Sequence, residues 1–173
     1  HDLNFEETPS IQYRYAEVLL NFIEAKAELG QITQTDIDKT IKKLRGRVGM
    51  PNLILTAIEP DPNWEFPTLS PIINEVRRER KVELALENFR WNDIARWAAA
   101  DELIVGKRPK GAKASHFTIP PTLSVDGNGF LDPFKTALPA GFGFKLNRDY
   151  LNPIPQNQLT LNTNLKQNPG WVN

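Results

Sequence analysis

Glu79 and Glu83 lie four residues apart in RRERKVELALENFRW, a spacing that puts both carboxylates on one face of a helix. Their separation suits the pair of a retaining glycosidase, in which one carboxylate attacks and the other donates a proton. Their neighbours argue against that chemistry. Arg77, Arg78 and Arg80 flank them, whereas a general acid needs a raised pKa in a less cationic setting. The two glutamates therefore read as structural ions, and no catalytic residue is assigned. Nucleophilic triads fare no better, because His1 is terminal, His116 is the only internal histidine, and no G-x-S-x-G elbow is present. Asp126-Gly127-Asn128-Gly129 begins like a calcium loop, but Phe130 stands where a third oxygen ligand is needed. A hairpin turn explains it better, and neither a metal nor a cofactor is expected. Arg77, Arg78, Arg80 and Lys81 make an anion patch conceivable, yet the interleaved glutamates largely cancel its field.

The aromatic residues offer a different chemistry. Sugars lay apolar C–H faces on rings while Asn, Gln and charged groups reach their hydroxyls. Trp64 and Phe66 lie in a connector punctuated by Pro60, Pro62 and Pro67, where exposure is plausible. They are the candidate ligand-binding pair, although tryptophans are more often buried in packing.

The elements that must position these groups centre on residues 70–97. Ser70 and Pro71 are an N-cap and a first-turn proline, and no Gly or further Pro follows from Ile72 to Glu87, so a helix is predicted there. Its stripe, Ile72, Val76, Glu83 and Leu86, carries a carboxylate toward the core. An unpaired buried carboxylate is very costly, so ion pairs to other elements are expected. Asn88 tolerates left-handed backbone and should end the helix. A second short helix then carries Phe89, Trp91, Ile94 and Trp97, a packing hub rather than an active site.

Upstream, Ile11 to Leu29 reads as an amphipathic helix with Tyr15, Leu19, Phe22, Ile23, Lys26 and Leu29 in helical register and Gly30 as its stop. Thr35-Asp36 can cap a second helix bearing Ile37, Ile41, Leu44 and Val48. The two make a hairpin of tetratricopeptide dimensions, a unit that needs stacked neighbours. Residues 1–10 read as an extended lead-in. Residues 101–150 are rich in Gly, Pro and Phe and should be ordered loop folded over the helical part, with little regular structure. In the tail, Pro153-Ile154-Pro155 is extended by its prolines, and Asn168-Pro169-Gly170-Trp171 ends in a turn.

Composition sets outer bounds. The 173 residues suit one domain, or two small ones, with a respectable core, and 21 basic residues balance 21 acidic ones, so no global attraction to nucleic acid is expected. There is no cysteine, which excludes disulfides and thiolate metal sites. The chain begins His1-Asp2-Leu3, without Met, signal peptide or lipid-acceptor Cys, and is expected to be a mature or cut piece.

Three stretches together resemble one family. RRERKVELALENFRWNDIARW is similar to the charged helix and following Asp/Trp helix of the SusD/RagB family. YLNPIPQNQLTLNTNLKQNPGW is similar to its closing motif, and YRYAEVLLNFIEAKAELG to one of its tetratricopeptide-like helices. Asn88 stands where a glycine is common and Thr163 where a proline is common. The resemblance covers most of the chain and implies the C-terminal portion of such a protein, mainly α, with helical hairpins, a long loop-rich excursion and little strand. It implies one domain over 1–173, with a helical core at about 11–100, the excursion at 101–150 and the closing motif at 150–173. The implied function is a cell-surface lipoprotein, not an enzyme, on the extracellular face of the outer membrane of Bacteroidetes-type bacteria. Such a protein captures a glycan or other nutrient for a SusC-like TonB-dependent transporter, with no nucleic acid partner and with a lipid anchor lying outside this chain. The competing expectation is a tetratricopeptide-like scaffold that binds a protein or peptide in a groove between helices.

Overall fold

The computed structural model describes residues 11–118 and 122–171, so the lead-in expected at residues 1–10 lies outside it. Among the described residues seven α-helices follow in order: α1 (Tyr15–Glu28), α2 (Gln34–Lys39), α3 (Ile41–Arg47), α4 (Pro71–Glu83), α5 (Phe89–Arg96), α6 (Ala100–Leu103) and α7 (Gln156–Leu161). No sheet forms there. Isolated bridges join Val105 to Phe142, Lys113 to Phe130 and Val125 to Leu131. The chain is mainly α with little strand, as its sequence predicts. Its contacts fall into two compact units, one ending at Arg90 and one starting at Trp91, with α5 crossing the division.

In the first unit α1 packs against α4 and against the α2–α3 arm. Its buried face is Ala16, Leu19, Leu20, Ile23, Glu24 and Ala27. The expected register was different: Tyr15, Phe22 and Leu29 are exposed, because α1 is apolar on two sides and the alanines, not the aromatics, admit close neighbours. Gly30 stops the helix as expected. Its φ of 65° lets its N–H reach the Ala27 carbonyl (3.0 Å) while the Gln31 N–H reaches that of Lys26 (3.0 Å).

The second helix starts earlier than Thr35-Asp36 and is broken once. Thr33 is the cap, its hydroxyl accepting from the Asp36 N–H while Asp36 accepts from the Thr33 N–H, a reciprocal capping box. At Thr40 the backbone leaves the helix (φ −124°, ψ −89°), and its buried hydroxyl donates to the Asp36 carbonyl (2.6 Å). Ile37, Ile41 and Leu44 are buried, but Val48 ends up exposed beyond the last turn.

The charged helix is shorter than its sequence predicts. α4 ends at Glu83 rather than Glu87, and Leu86, assigned above to the core stripe, is fully exposed. Two left-handed residues, Leu86 and Asn88, each with φ 66°, turn the chain between α4 and α5. Asn88 is thus where a break was expected, and Leu86 carries a conformation that costs a non-glycine residue about 1–2 kcal/mol. In α5 the buried residues are Asp93 and Ile94, while Trp91 is half exposed.

Among the described residues of the second unit that follow α5, the loops are interrupted by α6, a short 3-10 turn at Ala114–His116 and α7, so the described part of 101–150 holds little regular structure.

Candidate functional site

The buried face of α4 is charged. Asn74, Glu75, Val76, Arg77 and Arg80 are its buried residues, and each ion reaches a neighbouring helix. Toward α1, Arg80 lies 3.8 Å from Glu24 and donates to Asn21 Oδ1 (2.6 Å), while Arg77 meets Glu28 at 3.1 Å. Arg14, just before α1, donates to Glu83 at 2.8 Å and to Glu87 through two nitrogens. Toward α3, Arg45 holds Glu79 and Glu75, and Arg47 meets Glu83 at 2.8 Å. The row Glu75, Glu79, Glu83, unfavourable within its own helix, is thereby neutralised from both sides. Glu79 and Glu83 are structural, and neither is positioned as the acid of a glycosidase. A cleft of about 600 Å³ is lined by Glu17, Phe89 and the four ions Arg14, Arg47, Glu83 and Glu87, and those four already pair with one another. Ligand pockets are mostly apolar, so this cleft fits a joint better than a binding site.

The two aromatic candidates line one small cleft but differ in exposure. Phe66 is only 3% exposed. Its N–H donates to Asn74 Oδ1 (3.2 Å), its carbonyl accepts from Asn74 Nδ2 (2.7 Å), and the Arg77 guanidinium lies 4.5 Å from its ring centre. Asn74 also donates to the Leu69 and Ser70 carbonyls, so one buried amide shapes the whole entry into α4. Phe66 is therefore held mainly as framework, with Arg77 over its ring, and borders the cleft with little exposed surface. Trp64 is half-buried, with its indole N–H buried and unpaired. It lines a cleft of about 170 Å³ with Phe66, Asp61, Asn63, Arg78 and Lys81. Drug-sized ligands occupy about 300–1,000 Å³; this space holds one small ring at most. Beside it, burial pushes the Glu65 carboxyl upward, but hydrogen bonds from Lys81 and Arg90 outweigh burial and hold it below its ordinary value.

In the second unit Asp132 is buried among cations. Arg108 donates to both its oxygens (2.8 and 2.6 Å) and Lys110 to one (2.6 Å), which holds its carboxyl far below the usual range. The Asp126-Gly127-Asn128-Gly129 turn forms here as the expected hairpin: the Asp126 N–H donates to the Phe130 carbonyl (2.9 Å), and Asp132 to that of Ser124 (2.7 Å). Asp126 Oδ1 accepts from the Asn128 and Phe130 N–H groups (3.0 and 2.9 Å). Among the described residues no three His, Cys, Asp or Glu side chains converge as a metal site.

The closing motif is one object made of two sequence pieces. Gln167 pairs its side-chain amide with the Ile154 backbone in both directions (2.8 and 2.9 Å), like a neighbouring strand. Asn168 donates to the Asn152 carbonyl (2.7 Å), the Trp171 indole donates to that of Leu151 (2.9 Å), and the Arg148 guanidinium lies 4.4 Å from the Trp171 ring centre. None of the partners Arg14, Arg45, Arg47, Arg108 or Asp132 stands out in the sequence, since a lone charge carries no sign of its distant partner.

The SusD family model matches residues 3–171. "SusD-like protein P2" of Formosa agariphila is 31% identical over 165 residues, covering 95% of this chain and 26% of that protein. No solved structure matches. The chain thus spans about a quarter of that relative's length. With the family matched from near one end to the other, and with its charged helix and closing motif each forming a connected structure, this chain belongs to the SusD family.

Proposed function

We propose that the chain is part of a nutrient-binding component of an outer-membrane uptake system, which captures a glycan at the cell surface and delivers it to a TonB-dependent β-barrel transporter. Family membership over residues 3–171 carries this reading. No helix among the described residues is long and apolar enough to cross a membrane, and the proposal attaches the protein by a lipid anchor outside this chain. The protein binds and does not cleave: its tempting carboxylates, Glu79 and Glu83, hold arginines of neighbouring segments. Of the two aromatic candidates, Trp64 retains surface for a ligand, and the main ligand site lies on other parts of the full protein.

Affinity electrophoresis of the full-length protein through gels containing different soluble polysaccharides, followed by calorimetry on the hits and chromatography for products, tests this. Retardation by at least one glycan without product release is expected. Released product makes the protein an enzyme. Absence of binding to every glycan, with recovery of a soluble protein partner, makes it a scaffold.

A further inference from the structure

Asp61 and Arg78 line two clefts, the small one at Trp64 and a wider one of about 460 Å³ beside the 52–60 loop. The two clefts therefore adjoin across this pair, whose members lie 3.6 Å apart and both reach the surface. The wider cleft has the size of ligand sites, about 300–1,000 Å³. Its wall is apolar along Leu53, Ile54, Ile58 and Pro60. Its backbone is fastened to α2, because Gln34 donates to the Leu53 carbonyl (3.0 Å) and accepts from the Leu55 N–H (2.8 Å), and Asn52 donates to Asp38 (2.8 Å). Asp61 in turn accepts from the Asn63 N–H (2.8 Å), which fixes the turn into Trp64. The groove is thus built in advance, which lowers the cost of ordering on binding.

Each cleft carries one polar atom that the fold leaves over. Trp64 Nε1, a donor, and Asn52 Oδ1, an acceptor, are buried, and among the described residues neither has a hydrogen-bond partner. Each such group costs about 1–3 kcal/mol. A ligand that brings an oxygen to the first and a hydroxyl to the second recovers it. The charges on the lining narrow the ligand further. Arg45, Arg77, Arg78 and Lys81 already hold Glu79, Glu28, Glu75 and Glu65, respectively. A sulfate or carboxylate entering here leaves water without a cation of its own, which is very costly. Hydroxyls, ether oxygens and apolar C–H faces match a donor, an acceptor and an apolar wall.

We propose that the groove running from Asn52 past the Asp61–Arg78 pair to Trp64 binds a short, uncharged oligosaccharide. Trp64 Nε1 donates to a sugar oxygen, and Asn52 Oδ1 accepts from a sugar hydroxyl. This rests on the glycan-binding reading above and adds to it a site within this chain and the charge class of its ligand.

The full-length protein is labelled with fluorotryptophan, and the fluorine resonance lost in Trp64→Phe is assigned to Trp64. Uncharged hexaoses of glucose, xylose, mannose and galactose are titrated against it, beside oligogalacturonate and sulfated galactan oligosaccharides, with calorimetry of each. A saturating shift of the Trp64 resonance with at least one uncharged hexaose is expected. Its midpoint should lie about five-fold higher in Asn52→Ala, the scale of one lost hydrogen bond. The shift should vanish in Ala57→Phe, which fills the wider cleft from an exposed position. Calorimetric binding with an unmoved Trp64 resonance overturns this site and leaves the uptake reading standing. So does a shift that is the same in both variants. A response to the charged oligosaccharides alone overturns the charge class. Absence of binding by either readout removes the uptake reading and this site with it.

Discussion

Arg80 of α4 and Glu24 of α1 face each other 3.8 Å apart, with side chains only 5% and 7% exposed, in the middle of the seam between the two helices. Two buried ions of opposite sign are tolerated only as a pair. Glu24→Ala removes the carboxylate that compensates the buried guanidinium, which keeps its bond to the neutral Asn21 oxygen. The change should destabilise the 173-residue chain by about 3–5 kcal/mol, whereas a combined Glu24→Leu/Arg80→Met replacement should cost far less. Urea unfolding of the three proteins checks this, and equal losses in the single and double variants contradict it.

Glu83 differs because its partners can return to water. Arg47 is mostly exposed and Arg14 about a quarter exposed, so Glu83→Ala strands no deeply buried arginine. A loss of about 1.5–3 kcal/mol is expected, the scale of hydrogen bonds to a charged group. Raising the salt concentration should shrink the difference from wild type, and salt should affect the Glu24→Ala difference less. Parallel salt titrations of the two variants decide it.

The closing motif depends on Gln167 and Gly170. Gly170 has φ 77°, and an added Cβ there would lie 2.8 Å from Arg148 Cβ. Gly170→Ala is therefore opposed both by its backbone and by its neighbour, with a cost of at least about 1–2 kcal/mol. Gln167→Ala unties the Ile154 backbone. Both should expose the 150–156 segment to limited proteolysis while leaving cleavage near α1 unchanged. Protection of that segment in both variants contradicts the assignment.

Acid should act on the second unit through its aspartates. The Asp132 carboxyl is lowered by Arg108 and then Lys110, that of Asp126 mainly by the Phe130 N–H, and that of Asp149 mainly by Arg148. A native pKa below the unfolded value, about 3.9, adds stability that is complete above that value and disappears as pH falls through the native one. Stability should hold between pH 7 and about 5 and fall below about 4. Asp132→Asn should lower stability at neutral pH, and its difference from wild type should narrow in acid. Urea midpoints across pH check the sign, and a difference that widens on acidification contradicts it.

Local signals in the sequence were legible wherever one residue decides the outcome. Gly30 marks a real helix end, Asn88 takes the left-handed backbone of the break before α5, Ser70-Pro71 opens α4, and the Asp126 turn is a hairpin. Glu83 on a core stripe correctly implied ion pairs to other elements. What failed depended on tertiary choice. α1 offers two apolar faces, and periodicity alone cannot say which one meets α4. The end of α4 at Glu83 rests on left-handed backbone at Leu86, which no propensity favours. Phe66 sits in a proline-rich connector, yet Asn74 eight residues later draws it inside. The proposed nutrient-binding role rests on membership of a family, since the charges of this chain read as framework and Trp64 alone of its aromatic candidates keeps much open surface.

Purification of the full-length protein from detergent-solubilised outer membranes of its own host, with mass spectrometry of whatever accompanies it, tests the uptake role most directly. A TonB-dependent β-barrel transporter recovered in near-stoichiometric amount, and retained during glycan binding, is the predicted result. Recovery from the soluble fraction with a soluble protein partner and no barrel contradicts it.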